Sequence, residues 1–409
     1  MQGEAWPEVP LADVLSEPIR NGFSPTESQE WTGVRMLGLG CLTMDGFMPV
    51  QLKNAPPSVK RSHPAALRDG DLLISRANTR TLVGLVGIYR DIGNPCIYPD
   101  LMMRVRPASN YLSEFLEIVL SSPRTRRRIM AMAQGTSESM VKISGDTVRR
   151  LPVPLVPIAA QRWIVDALES LAETERGIEA SIAKLRRVRQ GTLLSSMASV
   201  ADAHPRASWV RVPLKDVVPS VEYGISEALD TDARGVPVLR MNNIRDGRAE
   251  LGELRYSPVA VPDRLYLRPG DVLFNRTNSI EHIGKAAVWR DELPAATFAS
   301  YLVRLNPDAR RVTPEYLVEW LMHPLTRQRV RAISTVAVQQ VNVNPSRLRE
   351  LEIDLPADLA EQRRIVATLE ACDEQIEREA DELAKLRDLK RGLVDDLFSG
   401  KVTVPELAA

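Results

Sequence analysis

Arginine, asparagine and glutamine on short loops can read the edges of base pairs, and this chain holds two matched sets of them. Ser75-Arg-Ala-Asn-Thr-Arg80 and Asn275-Arg-Thr-Asn-Ser-Ile280 each follow a short apolar run, 200 residues apart. Arg76, Asn78, Thr79 and Arg80 in the first set, and Arg276, Asn278 and Ser279 in the second, offer such donors and acceptors. Arginine suits guanine, and asparagine or glutamine suits adenine. A second matched pair of polar stretches, Gly135 to Lys142 and Val338 to Asn344, adds Thr136, Ser137 and Lys142 in one copy and Gln339, Gln340 and Asn342 in the other. Each set lies near a basic strip. Residues 121–150 carry seven basic side chains, Arg126 among them, against two acids, and 324–349 carry five, Arg327 among them, with no acid, so each strip is net +5. Paired basic strips suit duplex DNA, because neutralising phosphates supplies most non-specific affinity. The competing reading is a scaffold: Arg76 with Arg276 and Asn78 with Asn278 are identical between copies, as structural positions would be. Arg80 against Ile280, and Thr81 against Glu281, then become the better candidates for sequence choice.

Catalytic patterns are not assembled. Asn54-Ala55-Pro56-Pro57 lacks the aromatic of an amino-methyltransferase signature, and Gly38-Leu39-Gly40, with Arg240-Met241-Asn242 in the matching place, reads as a strand edge rather than a nucleotide loop. No GxxxxGK[ST] phosphate loop occurs, Pro99-Asp100 lacks the nearby acidic-x-Lys of a metal-dependent nuclease, and no serine or cysteine has an adjacent base. Cys41, Cys96 and Cys372 are far apart and the four histidines scattered, so neither a disulfide framework nor a metal site is expected.

These residues are positioned by a tandem duplication. Leu67–Asp91 and Leu267–Asp291 align without a gap and agree at ten of 25 positions, and the correspondence continues through Trp6 with Trp209, Pro123 with Pro324, and Gln161-Arg162 with Gln362-Arg363. Each copy opens with short β-branched and apolar runs such as DLLIS and DVLFN, punctuated by Gly, Pro, Asn and Asp, which predict a mainly β domain. One helix per domain is expected, at Ser113–Leu120 and Pro314–Leu321.

A long periodic segment follows each domain. Stepping four and three residues from Ile164 gives Leu168, Leu171, Glu175, Ile178, Ile182, Leu185 and Arg189. From Ile365 the steps give Leu369, Cys372, Ile376, Glu379, Leu383, Leu386, Lys390, Leu393 and Leu397. That is a coiled-coil seam in both, so the two helices can pack on each other. About 35 residues of helix is roughly 50 Å, enough to hold the globular parts apart. The expected division is 1–157, first domain; 158–200, first helix; 201–208, linker; 209–357, second domain; 358–400, second helix; 401–409, tail.

Composition fits. At 44% apolar and 26% charged the chain is ordinary globular material, and without an apolar run of membrane length or a basic-then-apolar leader it reads as cytoplasmic with no membrane partner. Net charge is zero, yet residues 361–400 are net −4, so neutrality hides basic readers beside an acidic helix.

Two β-rich units, each ending in a helix that opens with Ala160-Gln161-Arg162 or Glu361-Gln362-Arg363 and closes with LRRVRQGTLLSSM or LRDLKRGLVDDLFSGKV, resemble the specificity subunit of type I restriction-modification systems over essentially the whole chain. The resemblance implies an α+β fold: two pseudo-repeated, mainly β target-recognition domains separated by two long helices packed as an antiparallel coiled coil. Each domain would read one half of a bipartite asymmetric DNA site. The implied partners are two modification (methyltransferase) subunits and restriction/translocase subunits, which would hold the S-adenosylmethionine, ATP and Mg, leaving this chain without cofactor or catalysis. Ala160 departs from the acid expected before the glutamine. A coiled-coil scaffold unrelated to DNA would leave the paired basic strips unexplained, and a DNA methyltransferase in its own right would need cofactor motifs that the sequence lacks.

Overall fold

The computed structural model describes residues 6–135, 138–197, 206–337 and 340–399. It forms two compact units, and their border falls inside both long helices: one unit runs to Ile178 and resumes at Glu382, the other is Glu179–Asp381. Each unit therefore holds one β-rich domain, half of the first long helix and half of the second.

In the first unit the central sheet is antiparallel, in the order Arg20–Asn21, Met102–Val105, Leu72–Ser75, Val86–Ile88. Its middle strands are apolar without alternation because both faces are covered. Leu72 and Ile74 point into one core with Phe115, Leu116 and Leu11, while Leu73 points into another with Met36, Tyr98 and Cys96, as the period of two in a strand requires. The second unit repeats the scheme. Val272 and Phe274 face one core, Leu273 the other, in a six-stranded sheet whose middle strands are Leu302–Asn306, Val272–Asn275 and Ala286–Val288. Gly38 and Gly40 bracket the start of a short 3-10 turn, Leu39–Cys41, that follows the strand Arg35–Leu37, so this segment is a turn rather than the expected strand edge.

Two helices, not one, follow the sheet in each copy. α1 (Ser113–Ser121) is succeeded at once by α2 (Pro123–Met132), and a short α3 (Gly145–Arg149) comes later. Ser122 caps α2 by accepting from the Thr125 N–H, with Pro123 in the first turn. The basic strip is thus largely a helix. Its sequence, PRTRRRIMAM, has too narrow an apolar stripe to announce one.

The first long helix, α4, is Ile158–Ser196. In the second copy α5 (Pro314–Met322), α6 (Pro324–Ala332) and α7 (Pro345–Leu348) repeat the first three, and α8 (Leu359–Ser399) repeats α4. Each domain closes on itself before its helix leaves: Glu8–Pro10 pairs with Pro152–Pro154, and Trp209–Pro213 with Glu352–Pro356.

Of the seam positions, Ile164, Leu168, Ile182, Leu369 and Leu383 are buried, and Leu171, Ile178, Leu185, Ile365, Ile376, Leu386 and Leu393 are half-buried. Polar seam residues pair: Lys390 donates to Glu175 at 3.1 Å in the first unit, and Arg189 bridges Asp373 and Glu319, 2.7 Å each, in the second. The first half of α4 meets the last half of α8, and the last half of α4 meets the first half of α8, so the helices pack antiparallel. No helix among the described residues is long and apolar enough to cross a membrane.

Candidate nucleic-acid interface

In each copy the two polar segments meet. Ala77–Asn78 pairs antiparallel with Val141–Lys142, Asn78 opposite Val141, and Thr277–Asn278 pairs with Gln340–Asn342, Asn278 opposite Val341. The Arg76 carbonyl accepts from the Ile143 N–H and the Arg276 carbonyl from the Val343 N–H, fixing the same register in both copies. The second copy adds a third strand, Thr335–Ala337, on the outer edge.

The turn after each ladder is built from its own polar residues. Asn78 Oδ1 accepts the Thr79 N–H at 2.9 Å, and Asn278 Oδ1 the Ser279 N–H at 2.8 Å. Thr79 and Ser279 reach on to Thr81 and Glu281. The turn ends at a glycine with positive φ, Gly84 at 71° and Gly284 at 78°. A Cβ on Gly84 would lie 2.4 Å from Ile129 of α2, and one on Gly284 2.9 Å from Val330 of α6, so each turn can lie flat on its helix only with glycine there.

Arg126 and Arg327 sit beneath the turns rather than on the surface. Arg126 donates to the Val83 and Thr81 carbonyls at 2.5 and 2.8 Å, and Arg327 to the Glu281 and Ile283 carbonyls at 2.8 and 3.0 Å. Burial pushes both guanidinium groups below the usual arginine range, and Arg331 adds to the effect on Arg327. Both are positioning residues: they hold the turn by its backbone, and that use of the guanidinium leaves it little for a phosphate.

The remaining candidates divide. Arg76 and Arg276 are half-buried; Arg76 donates to the Asp100 carbonyl and Arg276 to that of Ser300, with the Arg276 guanidinium 5.2 Å above the Tyr223 ring. Arg80 makes a two-pronged pair with Glu138, at 2.7 and 2.9 Å, which holds the Glu138 carboxyl below its ordinary range and the guanidinium above. Its counterpart Ile280 has an exposed side chain, and its carbonyl accepts from Arg331 at 3.2 Å. Lys142 and Gln340 are exposed on the ladders, whereas Asn342 is half-buried and accepts from the Thr277 hydroxyl at 2.5 Å. Thr136, Ser137 and Gln339 lie outside the described residues.

The two strips, equal in sequence charge, differ in their surroundings. In the first copy carboxylates answer the arginines: Glu8 lies 2.8 Å from Arg124, Asp146 pairs with Arg149, and Glu138 with Arg80. In the second copy the partners are backbone carbonyls, Glu352 for Arg329, Ile280 for Arg331, and Val218 and Pro219 for Arg349. A carbonyl accepts a hydrogen bond without cancelling the charge, although the Glu352 and Asp354 carboxylates also face Arg329.

Sequence reasoning missed Gln161 and Gln362 as functional in the fold. Both are wholly buried. Gln161 accepts the Leu112 N–H and donates to the Asn110 and Val156 carbonyls; Gln362 accepts the Thr313 N–H and donates to the Arg311 and Pro356 carbonyls. Each glutamine pins a long helix to its domain, and their recurrence at one offset was the available signal. The acid one residue earlier is not shared: Glu361 accepts from the Trp209 indole N–H at 2.9 Å, a contact Ala160 cannot make. Among the described residues no group of three His, Cys, Asp or Glu could hold a metal ion.

Residues 207–388 match the type I restriction modification DNA specificity domain. The MjaX protein of Methanocaldococcus jannaschii, assigned as a type I restriction enzyme specificity subunit, is 29% identical over 194 residues, 47% of this chain and 45% of that one. The type I restriction enzyme EcoKI specificity subunit of Escherichia coli K12 is 27% identical over 212 residues, 50% of this chain and 45% of that one. The chain spans about half the length of these curated relatives in the match. A solved chain from a study of complex assembly and conformational transition of the type I R-M system shares the fold over nearly its whole length, with TM-score 0.63 at 21% identity, covering 97% of this chain and 98% of that one. The chain is thus similar in sequence to type I restriction enzyme specificity subunits over about half its length, and it shares the fold of the solved chain over nearly all of it.

Proposed function

We propose that this chain is the sequence-specific, duplex-DNA-binding subunit of a type I restriction-modification complex, each domain reading one half of a bipartite asymmetric site. The observation that carries the reading is the repeated ladder. In both copies two polar segments more than sixty residues apart in sequence are brought into one register beside a basic helix. A short β ribbon with polar side chains fits the major groove, and arginines beside it meet phosphates. The chain itself does no chemistry; two modification subunits and the restriction/translocase subunits supply it, with S-adenosylmethionine, ATP and Mg bound there. It works in the cytoplasm, where the DNA is.

Two measurements test this. The full chain should retard duplex DNA with an affinity that falls steeply as salt rises, and deleting it from the cell should abolish methylation at one bipartite motif. Salt-insensitive or absent binding, together with an unchanged pattern of methylated motifs, refutes the proposal.

A further inference from the structure

The two ladders differ in chemistry at one shared position. Gln134 bridges Lys142 in the first copy as Thr335 pairs with Asn342 in the second, so Gly135 and Val336 occupy equivalent places. A Cβ on Gly135 would lie 2.7 Å from the Met140 carbonyl oxygen, which denies the first domain a side chain there. In the second domain Val336 stands on the outer strand and is 79% exposed. Val336, Val341 and Asn278 are aligned across the three strands and share a face; Val341 is buried in the core, while Val336 projects beyond it. The turn contrasts in the same sense: exposed Ile280 replaces Arg80, whose guanidinium is paired with Glu138. Arg327 and Arg331 donate to backbone carbonyls of the turn that carries Ile280. Exposed β-branched side chains on the ladder and on a turn of a basic domain suit a polyanion that itself carries apolar groups.

We propose that Val336, accompanied by Ile280, contacts the 5-methyl group of a thymine in the major groove, so that the second half-site is read partly by apolar contact at a place where the first domain has only a glycine. The thymine methyl is the apolar feature a base pair presents there. This rests on the duplex-DNA reading above.

The test uses the full chain and duplexes carrying its mapped methylation motif, with each thymine of the second half-site replaced singly by uracil, which removes only the methyl group. Burying one such group is worth about 0.8 kcal/mol, so uracil at one position should weaken binding about fourfold. The Val336→Ala variant should bind the thymine duplex correspondingly less well and no longer distinguish uracil at that position. Its side chain is exposed, so folding is not at stake, and Ile280→Ala provides a second variant. Uracil without effect at every position, a second half-site with no thymine on either strand, or undiminished discrimination in both variants overturns the inference. If the unmodified duplex is not bound at all, the DNA reading itself has failed.

Discussion

Replacing Gln362 with leucine tests whether the glutamine, rather than the helix seam alone, fastens α8 to the second domain. The side chain is wholly buried and makes three hydrogen bonds of 2.9 Å, accepting from the Thr313 N–H and donating to the Arg311 and Pro356 carbonyls. Leucine has similar bulk and supplies none of them. Arg311 is exposed, so water can reach its carbonyl, but Thr313 and Pro356 are buried and would be left without partners. Two buried orphans at about 1–3 kcal/mol each, less some gain from the added apolar surface, come to a loss of about 2–4 kcal/mol. Urea denaturation should show it as a lower midpoint, and hydrogen exchange should show faster exchange at the Thr313 amide. Gln362→Glu separates hydrogen bonding from shape. Its carboxylate would face two carbonyl oxygens, so its pKa in the folded protein rises above the unfolded value. Such a group contributes stability below the unfolded pKa and loses it as pH rises through the folded one. The variant should therefore lie closer to the wild type at pH 4 than at pH 7. A Gln362→Leu loss under about 0.5 kcal/mol, within the scatter of ordinary surface substitutions, would refute the reasoning.

Removing Arg189 strands Glu319, whose side chain is 12% exposed and whose pKa burial already raises. Arg189→Ala should cost about 3–5 kcal/mol near neutral pH; the deficit should shrink as pH falls and Glu319 takes up a proton, and Glu319→Gln should recover much of it, all read by denaturation. Gly284→Ala forces positive φ on an alanine and crowds Val330, so its melting temperature should fall by the equivalent of at least about 1–2 kcal/mol. Gly191→Ala, on an exposed, open face of α4, should instead raise stability by about 0.5–1 kcal/mol. For DNA, Lys142→Ala should reduce the slope of log affinity against log salt by about 0.9, whereas Arg126→Ala should weaken binding with little change in slope. Equal slope changes would put both cations on phosphates.

The offset of 200 made the duplication, the sheet strands and both long helices legible, because apolar runs and a four-three seam are written directly in residue order. The ladder was half legible. Its two strands were recognisable as polar loops, but their pairing joins Asn78 to Val141 and Asn278 to Val341, and strands of two or three residues carry no pattern that names a distant partner. The arginines were read with the wrong weight for a related reason: composition counts charge, whereas Arg126 and Arg327 are held by carbonyls that no count registers. Gln161 and Gln362 are legible as a repeated motif but not as buried anchors, because a polar residue beside Arg162 or Arg363 reads as surface. Only the fold shows that three backbone groups converge there.

The two domains agree at the side chains that hold the turn and the long helix to the core, and differ at exposed positions on and beside the ladder. Asn78 and Asn278, Gly84 and Gly284, Arg126 and Arg327, Gln161 and Gln362 are pairs of one residue type, each tied to main chain or set against a helix. Arg80 against Ile280 and Gly135 against Val336 are unlike pairs, and their side chains contribute little to the core. The Arg80–Glu138 pair is exposed, and surface ion pairs of this kind contribute little; what isoleucine gives up is the bond from Arg80 to the Met130 carbonyl at 3.1 Å, at the end of α2. After duplication these positions could therefore diverge with little loss of stability, while Arg126 or Gln161 could not. One scaffold can then carry two different readers in one chain, and the bipartite asymmetry of the proposed target follows from where the fold tolerates change.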